Sequence, residues 1–497
     1  MYPILSNPIS SILSLAASVR SLFASEASCN EIPQATPIPR KRKRSEPPTS
    51  IPEKMQNMAP DGLIHTSCCQ SPISDLRYHV ANKVCSIKPE ECRIVPNKQY
   101  YELKNHLSEE TKDTICKTHF KKIRNKSNFE IKINENTNLE EILKCTECGD
   151  LWHRCCSLYV NDAKDFKCCQ CAPAQKTISI QEYCKGSLHM ERYLTSVLSE
   201  RLPNPIKVVT FTRKKVVDTT CIAPANYLTK RFIAKYGKKI TYHTRAIYVL
   251  QEQDGVHQLF FGMFCQEYEN LWAKDKKSWF HIDFVDSVPY VGGVGMRRDF
   301  YGEILLAYMD YMRHIGFLHG HLYANPPFKG DDYVFNIHKS GQGYLGKQVL
   351  INWYKSIFDN GRSKGIVKDW KDCEGARFKE ILDIPIMAGS LWADLMSIET
   401  TNYQGTVRNE ERFKEAMNRQ QKMHAHDNFF IELQAPDQLQ TPDQQLFKCD
   451  GLDDKDDFHE ICVNRNLEFF DERRARFSSV AFRELMRENL TVIPESG

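Results

Sequence analysis

The chain has 497 residues, with 67 Lys and Arg against 63 Asp and Glu, a formal net charge of +4, and 41% apolar and 11% aromatic residues. That length makes room for about three units of ordinary domain size, and the mixed charge with abundant aromatics fits packed domains, not a polyelectrolyte. No run approaches the roughly 18 apolar residues of a membrane span, so no membrane role is expected.

The N-terminal MYPILSNPISSILSLAASVR lacks a basic n-region and is broken by serines, so a secretory signal is not expected. Residues 1–62 are rich in Pro and Ser with little periodicity and read as disordered. Within them, Arg40-Lys41-Arg42-Lys43-Arg44 forms a basic cluster on a polar segment. Such a cluster suits nuclear import receptors; a solvated basic linker is the alternative.

Twelve of the nineteen cysteines then fall between Cys68 and Cys171. Dense cysteine without an export signal points to reduced thiols and metal, not disulfides. Cys145-x2-Cys148, His153-x2-Cys156 and Cys168-x2-Cys171 have chelating spacing. With Cys68, Cys69, Cys85, Cys92, Cys116 and His119 they make twelve candidate ligands, enough for three tetrahedral zinc sites, with Cys155 and Cys169 left over. In a cross-brace, Cys145 and Cys148 join Cys168 and Cys171, while His153 and Cys156 join an upstream pair. These sites read as closed and structural, with Zn2+ supplying folding energy to a segment too short for a core of its own.

From about residue 187 the pattern turns to alternating strand-like and helix-like segments. Thr244 to Leu250 and Gln258 to Phe264 are β-rich runs around Gln253-Asp254-Gly255, a hairpin signal because Asp-Gly tolerates positive φ. His281 to Val285 reads as a strand. A helix is expected over 299–314, with Tyr301, Ile304, Leu305, Tyr308 and Met312 near a 3.6 period and Gly316 at C′. Pro326-Pro327 and Gly330-Asp331-Asp332 mark a loop feeding a strand at Tyr333 to Phe335, and Gln348 to Phe358 reads as a helix. Residues 401–423 read as a polar insertion loop, after which Phe429 to Leu433 and an amphipathic stretch from Asn464 to Leu490 resume the domain. The fold class is α/β (α+β), preceded by the small zinc-stabilised module.

Two constellations outside the cysteine cluster carry chemistry. Asp286-Ser287 at a strand end is followed by Gly292-Gly293-Val294-Gly295 and Met296-Arg297-Arg298, guanidinium groups beside a helix N-terminus that suit an anion; a Gly-rich surface loop is the bland alternative. The loop lacks the P-loop lysine, so nucleotide hydrolysis is not indicated. Tyr323, Trp353 and Tyr354 form an aromatic set that pattern alone assigns to a core.

FFGMFCQEY at 260–268, Asp286-Ser287-Val288, EILLAYMDYMRHIGF at 303–317, GHLYANPPFKGDDYVF at 320–335 and Trp353-Tyr354-Lys355 closely resemble the acetyltransferase domain of the CREB-binding-protein family of transcriptional coactivators. The cysteine cluster resembles that family's PHD finger interrupted by a RING-like segment. The resemblance divides the chain into a PHD/RING-like module at 63–175 and a histone acetyltransferase domain at 187–497. It implies a central mixed sheet surrounded by helices, acetyl-CoA as acetyl donor, and a nuclear coactivator acting on histone tails with transcription factors as partners. No sequence-specific nucleic-acid binding is expected. Asp286, Ser287 and Arg297 match positions that hold acetyl-CoA, and Arg298 beside them is expected to compensate there for a lost charge. Trp353 and Tyr354 match a pair whose tyrosine is general acid to the leaving thiolate, with Tyr323 at the tunnel. Thr244, Asp453 and Asp456 match the mouth that receives the lysine.

Departures accompany the match. Tyr323 stands for a tunnel tryptophan, Val349 for a coenzyme-contacting arginine, Arg298 for a threonine, and Ala388 and Ser390 for two acids near Trp392. The expectation is a shortened paralogue without the bromodomain or C-terminal zinc modules. A weakly active or inactive chromatin-associated scaffold is the runner-up, and a ubiquitin ligase a distant third. The run Asp453-Asp454-Lys455-Asp456-Asp457 is expected to attract a Lys-rich tail, with a solvated acidic turn as the alternative.

Overall fold

The computed structural model describes residues 64–172 and 205–493, apart from 80–82, 90–91, 95–97, 105–113, 124–125, 136–137, 224–225, 274–276, 291–293, 328–331, 340–341, 344, 403–406 and 441–445. The basic cluster at 40–44, the 173–204 stretch and the Gly292-Gly293 pair lie outside the described residues.

The centre is a seven-stranded sheet. In chain order its elements are β1 (Ile206–Asp218), α1 (Asn226–Tyr236), β2 (Lys239–Gln253), β3 (Val256–Tyr268), β4 (Trp279–Ser287), α2 (Val294–His314), β5 (His319–Tyr323), α3 (Lys347–Ser363) and β6 (Val367–Asp372). There follow α4 (Leu391–Asn402), α5 (Val407–Met423), β7 (Asn428–Leu433), β8 (Leu446–Cys449), α6 (Lys455–Asn464), α7 (Glu472–Asn489) and β9 (Leu490–Ile493). The sheet order is β6-β7-β5-β4-β3-β2-β1, with β8 and β9 paired separately. Every pair in the large sheet is antiparallel except β4 with β5, which α2 connects, so the sheet is mixed as expected.

The local signals explain these elements. Asp254 and Gly255 take φ of 46° and 75°, the left-handed pair that a tight hairpin turn between β2 and β3 requires. At the end of α2, Gly316 has φ 97°, its N–H donates to Arg313 O, and Phe317 N–H donates to Met312 O at 2.9 Å. That is the Schellman arrangement, which satisfies carbonyls the helix leaves open. From Ile304 through Met309 every residue of α2 is essentially buried, because the helix lies across the sheet beneath α3 and both flanks are covered. A second, smaller core gathers Phe232 and Tyr236 of α1 with Trp392, Met396, Phe413 and Met417.

Two expectations are corrected. Tyr333–Phe335 is not a strand: its amides are taken by the Asp286 carboxylate instead of a ladder, Val334 N and Phe335 N each donating to Oδ2 at 3.1 Å. Residues 407–423 are not a loop but α5, whose Phe413, Ala416 and Met417 are buried. That narrow apolar stripe is diluted by charged neighbours, so the periodicity is faint in the sequence.

The cysteine-rich region packs on the start of α7. Arg473 makes a fork to Glu140 at 2.8 and 2.5 Å. Arg474, 1% exposed, reaches Glu468 at 2.8 Å and Cys155 Sγ at 2.8 Å and lies over the Tyr78 ring. Among the described residues no helix is long and apolar enough to cross a membrane.

Candidate functional site

The parallel strands β4 and β5 stay in register from Trp279↔His319 to Ile282↔Leu322 and then part. A bulge in the β3–β4 pairing at the same level leaves Asp283 without a cross-strand partner. Beyond it β4 continues on β3 alone to Ser287, while Ala324, just past β5, donates its N–H to Asp427 O at 2.7 Å. Parted carboxyl ends of adjacent parallel strands are where open α/β sheets hold ligands.

Asp286 organises this opening. Fully buried, it accepts from Ser287 N at 2.8 Å, from Val334 N and Phe335 N, and from His338 Nε2 at 2.9 Å. His338 is gripped on its other side by Asp332 at 3.0 Å. Burial alone would push this imidazole down, but the two carboxylates win and hold it up at about 9. Gln342 Nε2 donates to Ser287 O at 3.0 Å, so a single segment, 332–342, is sewn to the end of β4. Asp286 therefore acts through the loop it shapes, and its oxygens face inward. Arg297, mostly buried, donates to Pro289 O at 2.7 Å, while Arg298 is exposed.

Trp353 and Tyr354 sit side by side on α3, both buried, with ring centroids 4.9 Å apart. The Tyr354 ring lies near Phe358 and Phe429, and its hydroxyl has no hydrogen-bond partner among the described residues. Burial pushes that phenol well above its ordinary range, so it stays protonated. A buried, unpartnered hydroxyl is costly unless a ligand satisfies it. Tyr323 ends β5, largely buried, edge-on to His424 at 5.6 Å. Val349, the residue in place of an arginine, is 49% exposed on α3.

Thr244 and the acidic run meet at one cation. Thr244 Oγ1 donates to Arg213 O at 3.3 Å, and the Arg213 guanidinium pairs with Asp453 at 2.7 Å and Asp457 at 3.2 Å. Lys215 holds Asp454 at 2.6 Å, and Lys455 pairs with Asp456. The expected acidic attractor is thus largely neutralised by the chain's own cations: Asp453 is buried, and Asp456, 77% exposed, is its most accessible carboxylate. His338, Arg213 and Asp283 were not singled out from sequence. Burial pushes the Asp283 carboxyl up to about 7, opposed by the Gln266 amide donating to it at 2.9 Å.

The twelve cysteine-region ligands gather in three fours: Cys68, Cys69, His153 and Cys156; Cys85, Cys92, Cys116 and His119; Cys145, Cys148, Cys168 and Cys171. Sulfur-to-nitrogen and sulfur-to-sulfur separations such as Cys116–His119 at 3.3 Å, Cys69–His153 at 3.4 Å and Cys148–Cys168 at 3.7 Å are edges of tetrahedra with arms of about 2.0–2.3 Å, the dimensions of zinc bound by imidazole and thiolate. Backbone amides support the sulfurs: His153 N donates to Cys68, Cys116 N to Cys85 and Cys168 N to Cys145. The donor set fits a metal ion. Cys155 is outside these groups, turned to Arg474.

Residues 202–448 match the family model described as the histone acetyltransferase domain KAT3. Protein cbp-1 of Caenorhabditis elegans is 26% identical over 292 residues, covering 54% of this chain and 14% of that protein. Histone acetyltransferase HAC12 of Arabidopsis thaliana is 23% identical over 367 residues, covering 64% of this chain and 21% of that protein. Histone acetyltransferase HAC1 of the same plant is 24% identical over 283 residues, 49% of this chain and 17% of its own length. The chain thus spans between a seventh and about a fifth of these relatives.

Proposed function

The region 202–448 of this chain belongs to the KAT3 histone acetyltransferase domain family, and from that premise we propose that the protein transfers acetyl from acetyl-CoA to a lysine amine. The observation that carries this reading is the Tyr354 hydroxyl, buried, protonated and without a partner among the described residues, on α3 with its ring near Phe429 of β7.

A free lysine ammonium has a pKa near 10.4, so about one molecule in a thousand is neutral at pH 7. The buried aromatic side chains Tyr323, Trp353 and Tyr354 favour the neutral amine by desolvation. The amine nitrogen forms the new bond to the acetyl carbon, its surplus proton passing to solvent. The carbon–sulfur bond breaks, and Tyr354 delivers its proton to the departing thiolate. Asp286 and Ser287 position the loop that receives acetyl-CoA, Arg297 and Arg298 attract its phosphates, and Thr244, Asp453 and Asp456 border the entry for the lysine-bearing tail. The exposed Val349 supplies no charge there, which favours weaker cofactor binding than an arginine would give.

The cysteine-rich region is a PHD/RING-like module holding three structural Zn2+ ions, supported by the three four-ligand groups. Nuclear localisation, coactivator activity and association with chromatin and transcription factors complete the proposal. Tyr354→Phe tests it: the ring that packs against Phe429 is kept and only the donor is lost, so acetyl-CoA affinity should hold while turnover falls by about 10² to 10⁴. Equal loss in both, or in neither, would make Tyr354 a core residue and leave the scaffold reading.

A further inference from the structure

At the opposite ends of β4 and β5 from the parted strands, a cavity of about 210 Å³ lies between the sheet and the segment after β6. Six aromatic rings line it: Trp272, Trp279, Trp370, Phe378, Phe430 and His319, the last stacked on Trp279 at 5.1 Å. Two pairs are crossed, Trp272 with Trp279 at 61° and 5.8 Å, Phe378 with Phe430 at 76° and 4.8 Å. Crossed rings around a small void present π faces from several directions, the surroundings a bulky cation prefers.

Two of the tryptophans already bind cations of their own chain. Lys235 Nζ sits 4.5 Å over Trp272 and lines the adjoining groove but not this cavity. Lys355 and Arg362 lie 5.7 and 5.5 Å over Trp370, and neither lines the cavity. One cation, Lys371, does line the cavity, and it is paired with Asp369 at 3.8 Å.

The polar part of the wall narrows the ligand further. Asp369, Asp383 and Glu432 line the cavity, but each is engaged: Asp369 with Arg362 and Lys371, Asp383 with Lys235 at 3.7 Å, Glu432 with Lys368 at 2.6 Å. An ammonium with three N–H donors meets no unengaged carboxylate here, whereas a quaternary ammonium has no donors to satisfy. The volume equals about seven waters at roughly 30 Å³ each, room for a trimethylammonium head and the adjoining methylenes.

We propose that this cavity binds the trimethylated lysine side chain of a peptide, at a site separate from acetyl transfer. From Trp279 to Asp286 is seven residues of strand, about 23 Å at roughly 3.3 Å each, so the cavity and the parted strand ends are well separated along β4.

The test titrates the full chain by calorimetry with a ten-residue Gly/Ser peptide carrying one trimethyllysine, the same peptide with unmodified lysine, and the same peptide with the neutral tert-butyl isostere of trimethyllysine. The trimethyllysine peptide should bind about tenfold more tightly than either other peptide. Phe378→Leu, which keeps an apolar side chain and removes the π face, should abolish that preference, Phe378→Tyr should retain it, and acetyl-CoA affinity should be unchanged in both. Equal binding of charged and neutral peptides would make the cavity a plain apolar slot and overturn the proposal, as would equal binding of methylated and unmodified peptides or no binding at millimolar concentration. Titrating acetyl-CoA into the same samples separates failure here from failure of the transfer reading.

Discussion

Asp286 and His338 show how one residue's role changes once its partners are known. Both oxygens of the carboxylate have partners: the Ser287 amide, two loop amides and a histidine that Asp332 also grips. Because the His338 pKa in the fold, about 9, exceeds the ordinary value of 6.5, its charge stabilises the fold fully below pH 6.5. That contribution, on the order of 3 kcal/mol, fades as pH rises through about 9. Urea unfolding of the wild type should therefore show a fall in stability over pH 6.5 to 9 that His338→Gln lacks; parallel curves would contradict the assignment. Sequence pointed to Asp286 but not to His338, since a lone histidine in a loop has no spacing that announces one carboxylate six residues before it and another 52 residues away. Tyr354 was legible only through resemblance, because a buried tyrosine on an amphipathic helix looks like core until its hydroxyl is found to lack a partner.

At the scale of elements, the strongest patterns came through: the Asp254-Gly255 hairpin and the long α2 with its Gly316 stop, while the apolar run at Phe429–Leu433 lies in the strand β7. The failures have a common cause. Tyr333–Phe335 has strand-forming residues whose hydrogen bonds are captured by a side chain, and α5 hides a thin apolar stripe among charges. Phe413, 1% exposed in the smaller core, is the anchor of that stripe. Phe413→Ala should cost about 3 to 5 kcal/mol in chemical unfolding, and a change under 1 would mean that α5 is not packed there. The same helix bears on regulation: Thr401 to Met423 contains only Lys414 and Lys422, and Lys414 faces Glu410 at 3.6 Å. Acetylating two lysines alters little charge, so preincubation with acetyl-CoA should leave the transfer rate nearly unchanged; a large rise would contradict this.

Across the whole molecule, the cysteine-rich region and the sheet are joined by charge buried at the start of α7. Arg473 reaches both Glu140 and the candidate ligand Cys156, and Arg474 closes on Glu468 and Cys155. Spacing of cysteines gave the twelve candidate ligands and the Cys145, Cys148, Cys168 and Cys171 four, since chelation demands local pairs, but left the upstream grouping open; the arginine bridge was invisible because its members are more than 300 residues apart. Arg474→Ala leaves Glu468 buried without its guanidinium partner and should cost about 3 to 5 kcal/mol in unfolding. Native mass spectrometry should find three zinc ions per chain, and finding none would remove the metal account.

The central claim, lysine acetyl transfer with Tyr354 as proton donor, is tested most directly by mass spectrometry of a histone-tail peptide incubated with acetyl-CoA and the full chain. The account predicts acetyl groups on lysine with wild-type protein and a yield lower by about 10² or more at equal time with Tyr354→Phe. A peptide left unmodified by folded wild-type protein, or modified equally by both, would contradict it.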